Sequence, residues 1–417
     1  MTLLATPTCA ESQVAQLDRN EALRGPPPGA VERVRAAIAR AHIYPHEALA
    51  RASEAAASHL GVETEQVILT TGVDETADLC ILELGDPYTV TPGFDGYGDR
   101  AAALNQRCRS FPLGANHELP RELIEAVDPG RLVMLSSPNN PTANRFAGES
   151  LRELLGRSAQ VLLDETYADF CADGADLRAG TTDLDSGTAD LRAVAPELSS
   201  RAPGLGWLAE YPNLLVFRSF SKAYGLAGLR IGCVVGEERL IGRLRARQAY
   251  LTTSGLAAEA LIGALESDPD FPTRHAREVV ALREELIGRL RGVGLFERVY
   301  ESETNFVFVM CASAGEATWI RQTLAHANVI VASTTPLGEP AGLRIGVGLQ
   351  GDTDRLIAGL TEIGGLRYGP RPTASPRADA GAIEGPRADA GATASPRADA
   401  GATEGLHEAG RKEEMQT

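Results

Sequence analysis

Two hydrophobic periods alternate along the chain. Short apolar runs, such as Ile68-Leu69, Leu132-Val-Met-Leu135, Val161-Leu-Leu163 and Asn305-Phe-Val-Phe-Val-Met310, are bounded by Gly, Pro, Asn or Ser and predict strands. Between them, apolar positions return every three or four residues, as in Val31-Glu-Arg-Val-Arg-Ala-Ala-Ile-Ala39, Thr76-Ala-Asp-Leu-Cys-Ile-Leu82 and Glu278-Val-Val-Ala-Leu-Arg-Glu-Glu-Leu-Ile287, which predicts helices. Strands alternating with helices from about 50 to 270 imply an α/β domain built on a mostly parallel sheet. Residues 271–368 then read as a smaller α/β domain. The first 49 residues, with Pro26-Pro-Pro28 marking a turn, read as an arm and first helix that join the smaller domain.

Two stretches break this rhythm. In 172–205, Ala-Asp-Leu-Arg-Ala occurs at 175 and again at 189 amid Gly, Thr, Asp and Ser, the composition of a low-complexity surface insertion. In 369–417, Pro-Arg-Ala-Asp-Ala-Gly-Ala recurs from 376, 386 and 396 with no apolar face to stack, which predicts a disordered repeat tail.

Candidate chemistry sits at the strand ends. Arg218-Ser-Phe-Ser-Lys-Ala-Tyr-Gly-Leu-Ala-Gly-Leu-Arg-Ile-Gly232 sets two hydroxyls, a lysine and an arginine among small residues. Lys222 could hold a phosphate-bearing aldehyde covalently through its amine, with Ser219, Ser221 and Arg230 as phosphate donors. Upstream, Ile68-Leu-Thr-Thr-Gly-Val-Asp-Glu75 is a strand, a glycine turn and a helix start, where backbone N–H groups suit an anion. Ser136-Ser-Pro-Asn-Asn-Pro-Thr142 is a loop opening from a strand end, where α/β sheets bind ligands. In Val161-Leu-Leu-Asp-Glu-Thr-Tyr167 a strand delivers Asp164, a carboxylate able to keep a pyridine nitrogen protonated. Alone, each segment is an ordinary cap or turn, and Lys222 a surface lysine. In this order they describe one site.

With these motifs, together with Asn20-Glu21, Ile43-Tyr-Pro45, Gly206-Trp-Leu-Ala-Glu-Tyr-Pro212, Ser302-Glu-Thr-Asn305 and Gly342-Leu-Arg-Ile-Gly-Val-Gly348, the chain resembles the fold-type I, pyridoxal-phosphate-dependent aminotransferases of class I/II over roughly residues 15 to 365. Within them it resembles the histidinol-phosphate aminotransferase branch. The resemblance implies pyridoxal 5′-phosphate as cofactor, carried by Lys222, which also moves the substrate Cα proton. It implies that Asp164 pairs with the ring nitrogen, that Asn140 and Tyr167 bond the ring's phenolic oxygen, and that Phe94 stacks on the ring. Val73, Asp74, Ser219, Ser221 and Arg230 would hold the phosphate, and Tyr44 would reach it from the neighbouring subunit of a homodimer with shared active sites. Arg344 would clamp the α-carboxylate, with Asn305 orienting it.

The chain departs from that branch at two points. The branch carries a second arginine in the strand before the clamp arginine, where Asn328-Val-Ile-Val-Ala332 ends in alanine, and an aromatic near the N-terminus, where Met1 to Leu17 has none. The implied activity is transfer of an amino group between a small-molecule donor and a 2-oxo acid, histidinol phosphate being the named donor. A specialised-metabolite aminotransferase, lyase, decarboxylase or cyclase on the same scaffold is the alternative. A cofactor-binding regulator would need a basic DNA-binding module, and nothing before Asn20 is long enough to be one.

Composition narrows the partners. A chain of 417 residues with 43% apolar content supports a sizeable core. A formal charge of −16 with no basic stripe argues against nucleic acid. Six cysteines, at 9, 80, 108, 171, 233 and 311, show no metal-ligand spacing and read as reduced packing residues. With no basic leader and no long apolar run, a cytoplasmic protein with no membrane association and no metal is expected.

Overall fold

The computed structural model describes residues 14–171, 203–334 and 341–368. Most of the 172–205 insertion and the 369–417 repeat tail therefore lie outside the described residues. Among the described residues, twelve strands form two sheets: β1 (Ala15–Leu17), β2 (Val67–Thr70), β3 (Tyr88–Thr91), β4 (Arg109–Pro112), β5 (Leu132–Ser136), β6 (Gln160–Asp164), β7 (Leu214–Ser219), β8 (Gly232–Gly236), β9 (Arg298–Val299), β10 (Phe306–Met310), β11 (Val329–Ser333) and β12 (Gly342–Gly346).

The larger sheet has the order β2-β8-β7-β6-β5-β3-β4. Pairs β7/β6, β6/β5, β5/β3 and β3/β4 are parallel, and only β8 runs antiparallel to its neighbours β2 and β7. Its central strands are buried end to end, as a sheet covered on both faces requires. The period of two sorts their side chains. Val133, Leu135, Val161, Leu163, Leu214 and Val216 enter one apolar cluster, while Leu132, Met134, Leu162, Leu215 and Phe217 enter another with Ile81 and Tyr97. Each such Leu or Val contributes about 1.5–3 kcal/mol by leaving water.

The smaller sheet has the order β1-β11-β12-β10-β9, with β1 parallel to β11 and the remaining pairs antiparallel. β1 thus brings the stretch before Asn20 into the same sheet as Arg344 on β12.

The predicted helices form with shifted ends. The first spans Pro28–Ala37, because Pro28 sits at the helix start where its missing N–H costs nothing. The helix expected at 76–82 spans Val73–Leu84, and the long helix spans Phe271–Val293. The described cysteines are free, and Cys80, Cys171, Cys233 and Cys311 are buried. Among the described residues, no helix is long and apolar enough to cross a membrane.

Candidate active site

In the larger sheet, register aligns Ser136, Asp164 and Phe217 across the carboxyl ends of β5, β6 and β7. Loops leaving these ends close a cavity of about 170 Å³. Ten of the residues singled out in the sequence line it: Val73, Asp74, Phe94, Asn140, Asp164, Tyr167, Ser219, Ser221, Lys222 and Arg230.

One part of the wall is built for an anion. The helix Val73–Leu84 starts at Gly72 with no side chain capping it, so its first N–H groups keep their positive end for the cavity. Arg230 stands beside Gly72, close enough that a Cβ on residue 72 would lie 2.9 Å from Nη2. Gly72 also has φ +116° and ψ −173°, a region only glycine enters readily. The Ser219 hydroxyl accepts from the Ser221 N–H at 3.2 Å, which brings both serines to the same wall.

A second part holds the carboxylate. Asp164 is buried; its Oδ1 accepts from the Thr166 N–H at 2.9 Å and hydroxyl at 2.6 Å, and its Oδ2 accepts from the Tyr97 hydroxyl at 3.0 Å. Burial drives this carboxyl upward from its ordinary pKa, and the Thr166 and Tyr97 bonds oppose that. Phe94 meets Tyr97 edge to face at 5.2 Å. Tyr97 and Thr166 are therefore site residues that the sequence reasoning did not assign a role. Tyr97 lies three residues after Phe94 on a helical turn, a spacing that could have exposed it.

Between them sits Lys222. Its amine donates to the Arg19 carbonyl at 3.1 Å, and its pKa is lowered to about 8, first by burial and then by the charge of Arg344. Arg344 donates from Nη1 to Asn140 Oδ1 at 2.8 Å and from Nη2 to the Asp18 carbonyl, while its buried Nε has no partner. With Oδ1 taken, Nδ2 is the group Asn140 can offer to a ligand. Asn305 donates to the Asn20 carbonyl at 3.0 Å, and Asn20 donates to the Tyr167 hydroxyl at 3.2 Å. Arg344 and Asn305 are thus tied to the cavity residues. Tyr44 is not: it is 76% exposed, with its ring near His46, and does not line the cavity of its own chain.

Behind Asp164 lies a buried ion network. Arg218 donates to Asp169 at 2.7 Å and lies 3.6 Å from Glu165, whose carboxyl burial pushes up to about 7. Lys222 is the one lysine among the described residues, the chain's other lysine being Lys412. Among the described residues, no three His, Cys, Asp or Glu side chains gather as metal ligands.

The family described as aminotransferase class I and II matches residues 12–360. Histidinol-phosphate aminotransferase 2 of Pseudomonas fluorescens is 32% identical over 364 residues, covering 84% of this chain and 89% of its own length. Histidinol-phosphate aminotransferase 1 of Bacillus cereus is 30% identical over 362 residues, covering 84% and 89%. The fold is shared with histidinol-phosphate aminotransferase from Sinorhizobium meliloti in complex with pyridoxal-5′-phosphate, at a TM-score of 0.70 and 24% identity, covering 85% of this chain and 92% of that one.

Proposed function

The chain belongs to the class I and II aminotransferases, whose cofactor is pyridoxal 5′-phosphate, and from that membership we propose that it moves an amino group between an amino donor and a 2-oxo acid at the cavity around Lys222. The observation that carries this reading is the lowered pKa and half-buried position of the Lys222 amine in a wall shared with Asp164 and Arg230.

The residues present fit the cofactor. An uncapped helix start, Arg230 and two serines suit its phosphate, Asp164 suits its ring nitrogen, and the amine suits its aldehyde. When bound, the cofactor supplies an electron sink that makes the substrate Cα proton acidic. Lys222 holds the cofactor and, once free, takes that proton from Cα; at a pKa of about 8, roughly a tenth of such amines are neutral at pH 7, against about one in several thousand at the ordinary value. Asp164, fixed by Thr166 and Tyr97, keeps the ring nitrogen protonated. Asn140 and Tyr167 donate to the ring's phenolic oxygen, and Phe94 covers the ring. Arg344, held by Asn140 and the Asp18 carbonyl, takes the anionic end of the donor, with Asn305 beside it. Tyr44, exposed on its own chain, is available to the phosphate site of a second copy, which makes a homodimer the working unit.

The donor we propose is histidinol phosphate, on the identity with enzymes named for it. A phosphate-free amino acid is the second reading. It is favoured by Ala332, which pairs directly with Arg344 across β11 and β12 and leaves Arg344 without a second cation opposite it in the sheet. The test is a half-reaction screen on purified protein, following the bound cofactor's absorbance as histidinol phosphate, glutamate and other amino acids are added. Rapid change with histidinol phosphate supports the first reading; change only with amino acids supports the second. Absence of a stoichiometric carbonyl product from every donor, the ketone from histidinol phosphate or the 2-oxo acid from an amino acid, would overturn amino transfer in favour of a lyase or cyclase.

A further inference from the structure

Three successive residues before the first helix contact four of the site residues. The Asp18 carbonyl accepts from Arg344, the Arg19 carbonyl from Lys222 at 3.1 Å, and the Asn20 carbonyl from Asn305 at 3.0 Å. A pleated strand alternates direction from residue to residue, so three consecutive carbonyls cannot serve one site unless the backbone leaves the strand conformation. β1 ends at Leu17, and Asn20 then adopts φ +53°, a left-handed conformation that asparagine, aspartate and glycine tolerate best.

Asn20 is buried, with 4% of its surface exposed, and its Nδ2 donates to the Tyr167 hydroxyl at 3.2 Å. A phenolic hydroxyl has one proton to give and lone pairs to accept with. Because Asn20 occupies a lone pair, the proton of Tyr167 stays free to donate into the cavity that Tyr167 lines. The same bond opposes the upward push that burial gives the Tyr167 pKa, so the hydroxyl becomes a stronger donor.

We infer that Asn20 is a positioning residue of the transfer reaction: its amide fixes the direction of the Tyr167 proton, and its left-handed backbone holds the carbonyls of residues 18–20 on Lys222, Arg344 and Asn305. The inference rests on the reading of Tyr167 given above, as a donor to the cofactor's phenolic oxygen. Asparagine is required there because aspartate, which only accepts, would draw the Tyr167 proton toward itself and away from the ligand. Glycine would keep the backbone turn and supply no amide.

The experiment is a pH titration of the bound cofactor's absorbance in the holoenzyme and in Asn20→Asp, Asn20→Gly, Tyr167→Phe and Asn20→Asp/Tyr167→Phe variants. A donor on the phenolic oxygen favours its ionised form, so losing that donor raises the midpoint. Asn20→Asp is expected to raise it by about one pH unit, a tenfold change in proton affinity, and Asn20→Gly by less. The double variant is expected to match Tyr167→Phe alone, because the effect travels through that hydroxyl. Unmoved midpoints in both Asn20 variants, or a further full shift in the double variant, would overturn the inference. Borohydride reduction keeps the two readings apart. Cofactor fixed on Lys222 with unmoved midpoints defeats Asn20 alone, whereas no cofactor fixed on Lys222 of the unaltered protein defeats the proposed site and this inference with it.

Discussion

Replacing Gly72 by alanine should damage the anion wall by two separable routes. The first is local: at φ +116° and ψ −173°, any side chain carries a backbone strain of about 1–3 kcal/mol, which urea unfolding of the cofactor-free protein would register directly. The second is transmitted: the new Cβ would come within 2.9 Å of Arg230 Nη2. The end of a long side chain moves aside easily, so the collision itself costs little, but the guanidinium leaves its place beside the helix start. A hydrogen bond to a charged partner is worth about 1.5–3 kcal/mol, so cofactor binding should weaken roughly 10- to 150-fold. Fluorescence titration of apoprotein with the cofactor gives the Kd. Arg230→Gln, which removes the charge without strain, should show a similar loss. In the double variant the two losses should not add, because both remove the same contact. A Gly72→Ala protein that binds with unchanged affinity, or losses that sum in the double variant, would refute the claim that Gly72 is there to admit Arg230.

Other consequences can be checked more briefly. Capture of the cofactor by apoprotein needs the neutral Lys222 amine, whose pKa lies below its ordinary value, so the rate should rise with pH through about 8 and level off above it; a profile that keeps climbing toward 10 would contradict the lowered pKa. Arg344→Ala should cost about 2–5 kcal/mol in kcat/KM for an anionic donor, seen as slowed single-turnover kinetics, while leaving cofactor absorbance in place. Tyr97→Phe removes the donor to Asp164 Oδ2 and should cost about 1–3 kcal/mol of stability in urea. The same change lets the Asp164 carboxyl rise further, so the acid limb of the pH–rate profile should move to higher pH. Asp169→Ala leaves the buried Arg218 with the Glu165 carboxylate at 3.6 Å and the Glu165 carbonyl at 3.4 Å, and should destabilise the fold by about 3 kcal/mol without altering the cofactor spectrum.

The site was largely legible where its chemistry is local. Lys222 with its flanking serines, Asp164 at a strand end and the glycine turn at 72 are each short segments that can be picked out locally, and they line one cavity. The helix expected from Thr76 starts three residues earlier, so that Val73, Asp74 and Glu75 form its first turn directly after Gly72. What escaped is what depends on distance along the chain. The bond between Asn20 and Tyr167 joins residues 147 positions apart, and Tyr97 reaches Asp164 across 67. Asn20-Glu21 stood out only as a stretch shared with the family, and nothing near it pointed to Tyr167. The reversed direction of β8 was equally invisible, because a strand buried on both faces carries no sign of its polarity.

Lys222 stands as the single lysine of the described residues, and arginine carries the rest of the positive surface there. Aldehydes condense with amines and leave guanidinium groups largely untouched at neutral pH. An aldehyde cofactor diffusing over this surface therefore meets few decoys. Lys412 and the terminal α-amine are the remaining amines that free aldehyde can mark. Background adducts, which in lysine-rich proteins compete for cofactor and blur its stoichiometry, should be few, and reductive labelling followed by peptide mapping should separate Lys222 from these two amines.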